Sequence, residues 1–229
     1  MRQIVLDTET TGLEARDGHR IIEIGAIEII GRRITDRRLH RYCNPGRDSD
    51  EGALAVHGLT RDFLADKPQF SEVTAELLQF VAGAEVIIHN AAFDLSFLDA
   101  EFARLGLPPF AEHCEKVSDS LRLARELHPG KRNSLDALCE RYGISNRHRT
   151  LHGALLDAGL LAEVYLAMTR GQDSLVMELA APAPAHDALE FTPDQLIVVA
   201  ADASELTAHE ALLDSIEKEI GKPPVWRVV

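Results

Sequence analysis

The sequence has little cysteine, no long apolar run and a shortage of positive charge. Its 229 residues include three cysteines, Cys43, Cys114 and Cys139, widely spaced and without a Cys-x-x-Cys pair. An odd, scattered set excludes a disulfide framework or a thiolate zinc site and reads as reduced thiols. No apolar stretch approaches the roughly 20 residues that a helix needs to cross a bilayer. Met1-Arg2-Gln3 leads straight into a strand-like run with no charged-then-apolar leader, so a cytoplasmic location without membrane contact is expected. Lys and Arg total 24 against 37 Asp and Glu, a formal net charge of −13. Gripping duplex DNA through many phosphates needs a basic face. Either this chain does not touch nucleic acid, or it touches only a chain end through metal ions while a partner holds the rest.

What is present is the composition of a soluble globular protein, 45% hydrophobic and 27% charged. The length suggests one ordinary domain plus something smaller. Ile4-Val5-Leu6 reads as a strand ending in Asp7, with turn-like residues from Thr8 to Gly12. His19 to Ile30 has strand patterning, Gly31-Arg32 a plausible hairpin turn, and Arg33 to Tyr42 the returning strand. Phe70 to Val81 has helical apolar spacing, Glu85 to His89 reads as a strand, and Ala91 to Leu105 as a helix. Further helices are expected over Ser118 to Leu127, Ser134 to Tyr142 and Leu155 to Thr169. Strands first, then strands alternating with helices, indicate an α/β domain over residues 1–171 with a mixed central sheet flanked by helices.

After Arg170 the character changes. Residues 172–190 include Ala180-Ala-Pro-Ala-Pro-Ala185, a semi-rigid linker composition. Residues 191–229 hold a candidate strand (Leu196 to Ala201) and an amphipathic helix carrying Leu206, Leu213, Ile216 and Ile220. So few apolar groups make a poor core, so this small C-terminal segment is expected to dock onto the first domain or onto another protein. No internal repeat is visible.

Chemistry is concentrated in three places. In Asp7-Thr8-Glu9 the carboxylates are two residues apart, so on a strand both face one side. Their mutual repulsion is relieved by a divalent cation, although a lone Asp-x-Glu is more often a solvated strand end. His89-Asn90-Ala91-Ala92-Phe93-Asp94 brings Asp94 into the first turn of a helix, a favourable place for an acid even without a function. In His152-Gly153-Ala154-Leu155-Leu156-Asp157 the two outer residues lie about 140° apart on a regular helix. They converge only if Gly153 lets His152 sit on a loop while Asp157 stays helical, and such a histidine suits a general base near neutral pH.

The ordered set Asp7, Glu9, Asp94, His152 and Asp157 resembles the DEDDh exonuclease family. Five segments are similar to the proofreading subunits of bacterial replicative polymerases: Leu6-Asp7-Thr8-Glu9-Thr10-Thr11-Gly12, Val56-His57-Gly58, His89 to Asp94, Gly130-Lys131-Arg132-Asn133-Ser134-Leu135-Asp136, and Arg149-Thr150-Leu151-His152-Gly153-Ala154. The likeness extends to the tail, at Ala208-His209-Glu210-Ala211 and Trp226-Arg227. It implies a ribonuclease H-like fold, 3′-5′ exonuclease activity on a DNA 3′ end, and two Mg²⁺ or Mn²⁺ ions. Asp7 would touch both ions, Glu9 and Asp157 the one that holds the attacking water, and Asp94 the other; His152 would take the water's proton. The terminal nucleotide would lie against Thr8 to Leu13, including Thr10, with Leu13 beside the base, His57 at the end nucleotide or its phosphate, and His89, Asn90 and Phe93 lining the pocket. Phe93 is equally readable as core, and Lys131-Arg132 as phosphate contacts or as a solvated turn before a helix capped by Asn133 or Ser134. One departure is visible. Where the family often has an acid five positions before the His57-like histidine, to receive the 3′-hydroxyl, this chain has Gly52, with Glu51 one step earlier as the substitute.

The resemblance also implies partners. Gln172-Asp173-Ser174-Leu175-Val176-Met177 is similar to the short sliding-clamp peptide of these subunits, with Gln172, Leu175 and Met177 as its anchors. Residues 191–229 would bind the catalytic (alpha) subunit of DNA polymerase III, with Trp226, the single tryptophan, as an interface anchor. A partner that holds DNA accounts for the acidic charge. The alternatives are a stand-alone exonuclease on RNA or short oligonucleotides, against which the tail argues, and an inactive clamp–polymerase adaptor, against which the intact five residues argue.

Overall fold

The computed structural model describes residues 1–146, 151–170 and 200–227. The chain divides into two units, Met1–Met177 and Glu178–Val229. The first unit begins with three strands, β1 (Arg2–Thr10), β2 (Ile21–Ile30) and β3 (Arg33–Tyr42). The β2–β3 hairpin closes at Gly31-Arg32, both at positive φ (54° and 63°), the backbone that a two-residue hairpin turn takes. Next come α1 (Glu51–His57), α2 (Arg61–Leu64), α3 (Phe70–Val81), β4 (Glu85–Ile88), α4 (Ala91–Arg104), β5 (Lys116–Asp119), α5 (Ser120–Leu127), α6 (Leu135–Tyr142) and α7 (Ala154–Met168).

Two expectations need correcting. β1 does not end at Asp7: it runs on through Glu9 to Thr10, paired with β2 from Arg2↔Ile30 to Thr10↔Ile21. Polar residues look like a turn, but here the ladder to β2 continues beneath them. The helix expected from Ser118 starts at Ser120, because Ser118 and Asp119 belong to β5. Asp119 then caps α5, accepting from the backbone N–H of Leu121 at 2.9 Å. β5, α1 and α2 were not anticipated; each is too short to display a period.

The strands form one sheet in the order β3-β2-β1-β4-β5, with β2 antiparallel to its neighbours and β1, β4 and β5 parallel. Alternation along each strand feeds two layers. Ile4, Leu6, Ile24, Val86 and Ile88 join Phe70, Leu77, Phe97 and Phe102 of α3 and α4. Val5, Ile27, Ile29 and Ile87 pack on the other face against Ala158, Leu161 and Ala162 of α7. A third cluster binds α5, α6 and α7 through Ala124, Leu138, Cys139, Leu160 and Val164. Each fully buried aliphatic side chain is worth about 1.5–3 kcal/mol, which clamps α4 and α7 on opposite faces of β1.

In the second unit the expected amphipathic helix is α8 (Ala203–Ile220), started by an Asp202–Glu205 capping box. Arg227 reaches back to Glu210, Asp214 and Glu217. Among residues 200–227 only Leu213 and Pro224 are buried, whereas Leu206, Leu212, Ile220, Val225 and Trp226 are exposed. The linker 172–190, the anchors Gln172, Leu175 and Met177, and most of the strand expected at Leu196 to Ala201 lie outside the described residues; Ala200 and Ala201 are not in a strand.

Candidate active site

The alternation that builds the core also places the carboxylates. Asp7 and Glu9 continue the odd-numbered face of β1 begun by Val5, the face covered by α7. Thr8 continues the even-numbered face, covered by α4. Asp94 arrives in the first turn of α4, after Asn90 turns the chain at φ 66°. Thr8 donates to Asp94 Oδ1 twice, from its hydroxyl at 2.7 Å and from its backbone N–H at 3.2 Å. Asp157 arrives in the first turn of α7, whose start lies on Gly25, directly opposite Asp7 in the ladder. A Cβ at position 25 would overlap the backbone of Ala154 and Leu155, so only glycine lets α7 come this close.

His152 precedes α7 on an extended stretch, with Gly153 as N-cap. Its Nδ1 lies 3.2 Å from Asp157 Oδ2, and its side chain is 43% exposed while that of Asp157 is 5% exposed. Its backbone N–H donates to the carbonyl of Val56 at the end of α1, at 3.1 Å. Ligand atoms of Glu9, His152 and Asp157 all lie within 4.8 Å of one another. One cavity of about 270 Å³ is lined by all five residues Asp7, Glu9, Asp94, His152 and Asp157, together with His89 and Phe93.

A second cavity of about 510 Å³ shares Thr8, Glu9 and Phe93 with the first and is also lined by Thr10, Leu13 and His57. Leu13 projects beside it, 78% exposed. Phe93 lines both cavities, and its ring also lies 5.1 Å from that of Phe97 in the core. His57 is 3% exposed; its Nδ1 accepts from the Leu59 N–H at 2.9 Å, and burial lowers its pKa. The ring is therefore neutral with its proton on Nε2, which has no hydrogen-bond partner among the described residues. Glu51 is exposed and lines neither cavity. Asp50, the N-cap of α1, lines the larger one instead, its carboxylate 3.3 Å from His19 Nε2 and not bonded to the helix start. Asn90, Lys131 and Arg132 line neither cavity; Ser134, not Asn133, caps α6.

Charge is crowded here. Burial pushes the Asp94 carboxyl up to about 7, against the pull of the Thr8 hydrogen bonds and with Asp119 adding to the rise. Burial also lowers the pKa of His89, whose Nδ1 is 2.9 Å from Ser120 Oγ. Five carboxylates around one cavity, those of Asp7, Glu9, Asp94, Asp136 and Asp157, are a hard-oxygen donor set, the type that holds small divalent cations. The sequence reading missed Asp136, which lines the same cavity from α6, and Asp50. Asp136 had one available signal, its place in the Asn133-Ser134-Leu135-Asp136 segment. A cavity of about 590 Å³ behind α7 contains none of the five residues, so size alone does not mark the site.

Residues 4–165 match the Exonuclease family (RNase_T). The chain is 49% identical to DNA polymerase III subunit epsilon of Escherichia coli (strain K12) over 239 aligned positions, covering 99% of this chain and 97% of the relative. It is 43% identical to the subunit of the same name from Rickettsia prowazekii (strain Madrid E), covering 94% and 97%. Among solved structures, an exonuclease X in complex with 5′ overhanging duplex DNA superposes with a TM-score of 0.59 at 25% identity, covering 75% of this chain and 93% of that one. A zinc-bound complex of E. coli ExoI with single-stranded DNA has a TM-score of 0.66 at 20% identity, covering 76% and 41%, a likeness of fold. With a carboxylate–histidine cavity on an exonuclease fold and relatives matched from end to end, the chain belongs to the exonuclease family and, within it, to the epsilon subunits of DNA polymerase III.

Proposed function

We propose that the cavity formed by Asp7, Glu9, Asp94, His152 and Asp157 hydrolyses the 3′-terminal phosphodiester of DNA and releases nucleoside 5′-monophosphates, with two Mg²⁺ or Mn²⁺ ions as cofactors. The observation that carries this reading is the convergence of Glu9, His152 and Asp157 within 4.8 Å, in the cavity that Asp7 and Asp94 complete. As an epsilon subunit the chain is the proofreading 3′-5′ exonuclease associated with DNA polymerase III.

The donors fit hard divalent cations, since five carboxylates line the cavity and no cysteine does. Asp7, which lines the cavity together with Glu9, Asp157 and Asp94, would serve both ions. Bound ions would supply stabilisation of the attacking and leaving oxygens of an in-line displacement. His152 takes the proton of the attacking water at Nε2, with Nδ1 turned toward Asp157. Its exposure suits proton exchange with solvent. Thr8 holds Asp94 in place. The larger cavity receives the terminal nucleotide: Leu13 and Phe93 offer apolar surface to the base, and His57 offers a fixed neutral N–H.

The remaining assignments belong to the same proposal. Residues 1–171 form the catalytic domain, 172–190 the linker with the clamp peptide Gln172 to Met177, and 191–229 the segment that binds the alpha subunit, supported by the exposure of Trp226 (78%) and Val225 (82%). No helix among the described residues is long and apolar enough to cross a membrane, and work on the chromosome places the chain in the cytoplasm. The test is release of monophosphates from a 3′-labelled single strand, with Mg²⁺, Mn²⁺ or EDTA, for folded wild type and Asp7→Ala. Activity confined to metal-loaded wild type is expected; a silent wild type in both metals defeats the catalytic reading.

A further inference from the structure

The catalytic histidine and the nucleotide cavity are joined by a short helix. α1 is seven residues long, and Gly52, Ala53, Val56 and His57 on it line the 510 Å³ cavity. Its last turn meets the stretch that carries His152 in two ways. The Val56 carbonyl accepts the backbone N–H of His152 at 3.1 Å. Gly58, which ends the helix at φ 69°, lies beneath the side chain of Leu151; a Cβ there would sit 2.6 Å from Leu151 Cδ1. The left-handed backbone at position 58 disfavours a side chain, and an added Cβ would also push the Leu151 side chain from its seat. The other end of α1 is also tied down, the Asp50 N–H donating to the Thr11 carbonyl at 2.8 Å. Between these ends, the His57 ring is locked over the turn by the Leu59 N–H.

Leu151 is 49% exposed, so burial in the core does not explain its place. It is the residue immediately before His152, whose imidazole is 43% exposed. We infer that Leu151, seated on Gly58, is a positioning residue for His152, latching the general base to the helix that walls the nucleotide cavity. Through this latch the terminal nucleotide and the base bear on one rigid element, so a seated 3′ end meets a base already in place. The inference rests on His152 acting as the base.

The test uses the full chain on a single-stranded oligonucleotide with Mn²⁺, measuring kcat and KM for Leu151→Ala, Leu151→Met, Gly58→Ala and His152→Gln. Misplacing a catalytic group by about 1 Å costs on the order of a hundredfold. Leu151→Ala is therefore expected to lower kcat about tenfold to a hundredfold with KM within about twofold, because the imidazole no longer keeps its place in the site. Leu151→Met, which refills the seat, restores kcat. Gly58→Ala displaces the Leu151 side chain from below but also strains the left-handed turn, so it is read only on protein shown folded by circular dichroism, where kcat falls as in Leu151→Ala. A Leu151→Ala enzyme with wild-type kcat, beside an inert His152→Gln, overturns the latch and leaves the base assignment standing. A fully active His152→Gln overturns the base assignment and the latch with it.

Discussion

Gly25→Ala replaces one hydrogen by a methyl group on a buried strand far from bulk solvent, and it should cripple the enzyme. The added Cβ would overlap the carbonyl carbon of Ala154 and the amide nitrogen of Leu155, backbone atoms that cannot rotate aside. Regaining ordinary contact of about 3.5–4 Å requires the start of α7 to withdraw from the sheet by roughly 1 Å or more. That turn carries Asp157, follows His152 directly, and faces Asp7, the residue paired with Gly25 across β1 and β2. Overpacking of this kind costs about 1–3 kcal/mol of stability, and a shift of about 1 Å in catalytic groups costs on the order of a hundredfold in rate. We expect kcat for monophosphate release to fall about a hundredfold while the chain stays folded, with its unfolding midpoint lowered by only a few degrees. Gly159→Ala is the matched control: it lies on the same helix, its Cβ would meet Ile27 Cδ1 at an ordinary 3.5 Å, and it should gain about 0.5–1 kcal/mol from helix propensity. Wild-type kcat in Gly25→Ala would refute the claim that the approach of α7 to β2 sets the geometry of the site.

Other outcomes follow from the same geometry. In EDTA, the folded Asp94 carboxyl titrates near 7, pushed up by burial, against about 3.9 in an unfolded chain. The folded state therefore binds the extra proton between those values, and the unfolding midpoint should rise as pH falls from 8 to 6. Asp94→Asn should flatten that slope; an unchanged slope would mean that another group causes it. Leu13→Ala should raise KM for single-stranded ends several-fold with little change in kcat, because the exposed side chain offers binding surface rather than chemistry; steady-state kinetics decides. Trp226→Ala should weaken association with the alpha subunit by about 2 kcal/mol or more, as for a buried aromatic anchor, and leave monophosphate release from single strands intact. Equal affinity in a pull-down or calorimetric titration would remove the tryptophan from that interface.

Much of this molecule was legible in its sequence because local physics decides it. The hairpin at Gly31-Arg32, the helix over Phe70–Val81 and the returning strand Arg33–Tyr42 follow from turn chemistry and apolar period alone. So does the shared side of Asp7 and Glu9, which strand alternation dictates wherever the strand stops. The His152–Asp157 spacing likewise required a loop before a helix, and Gly153 supplies it. The five site residues were named from order and spacing together with a family likeness; spacing alone left each of the three motifs explicable as ordinary surface.

Tertiary structure decided what depends on distant partners. β1 continues past Asp7 because β2 is there to pair with Thr8, Glu9 and Thr10, a ladder that no local pattern announces. β5 is four residues long and exists only by pairing with β4. Asp50, not Glu51, lines the larger cavity, and α1 is tied at its two ends to the remote Thr11 carbonyl and His152 N–H. The rise of Asp94 toward 7 comes from its burial under β1, and the seat of Leu151 on Gly58 joins residues 93 positions apart. The sequence by itself determined which groups could do the chemistry, because residue type and local period are written in it. Their distances, burial and protonation were decided by the packing of α4 and α7 on the two faces of β1, since those quantities arise only when remote segments exclude water together.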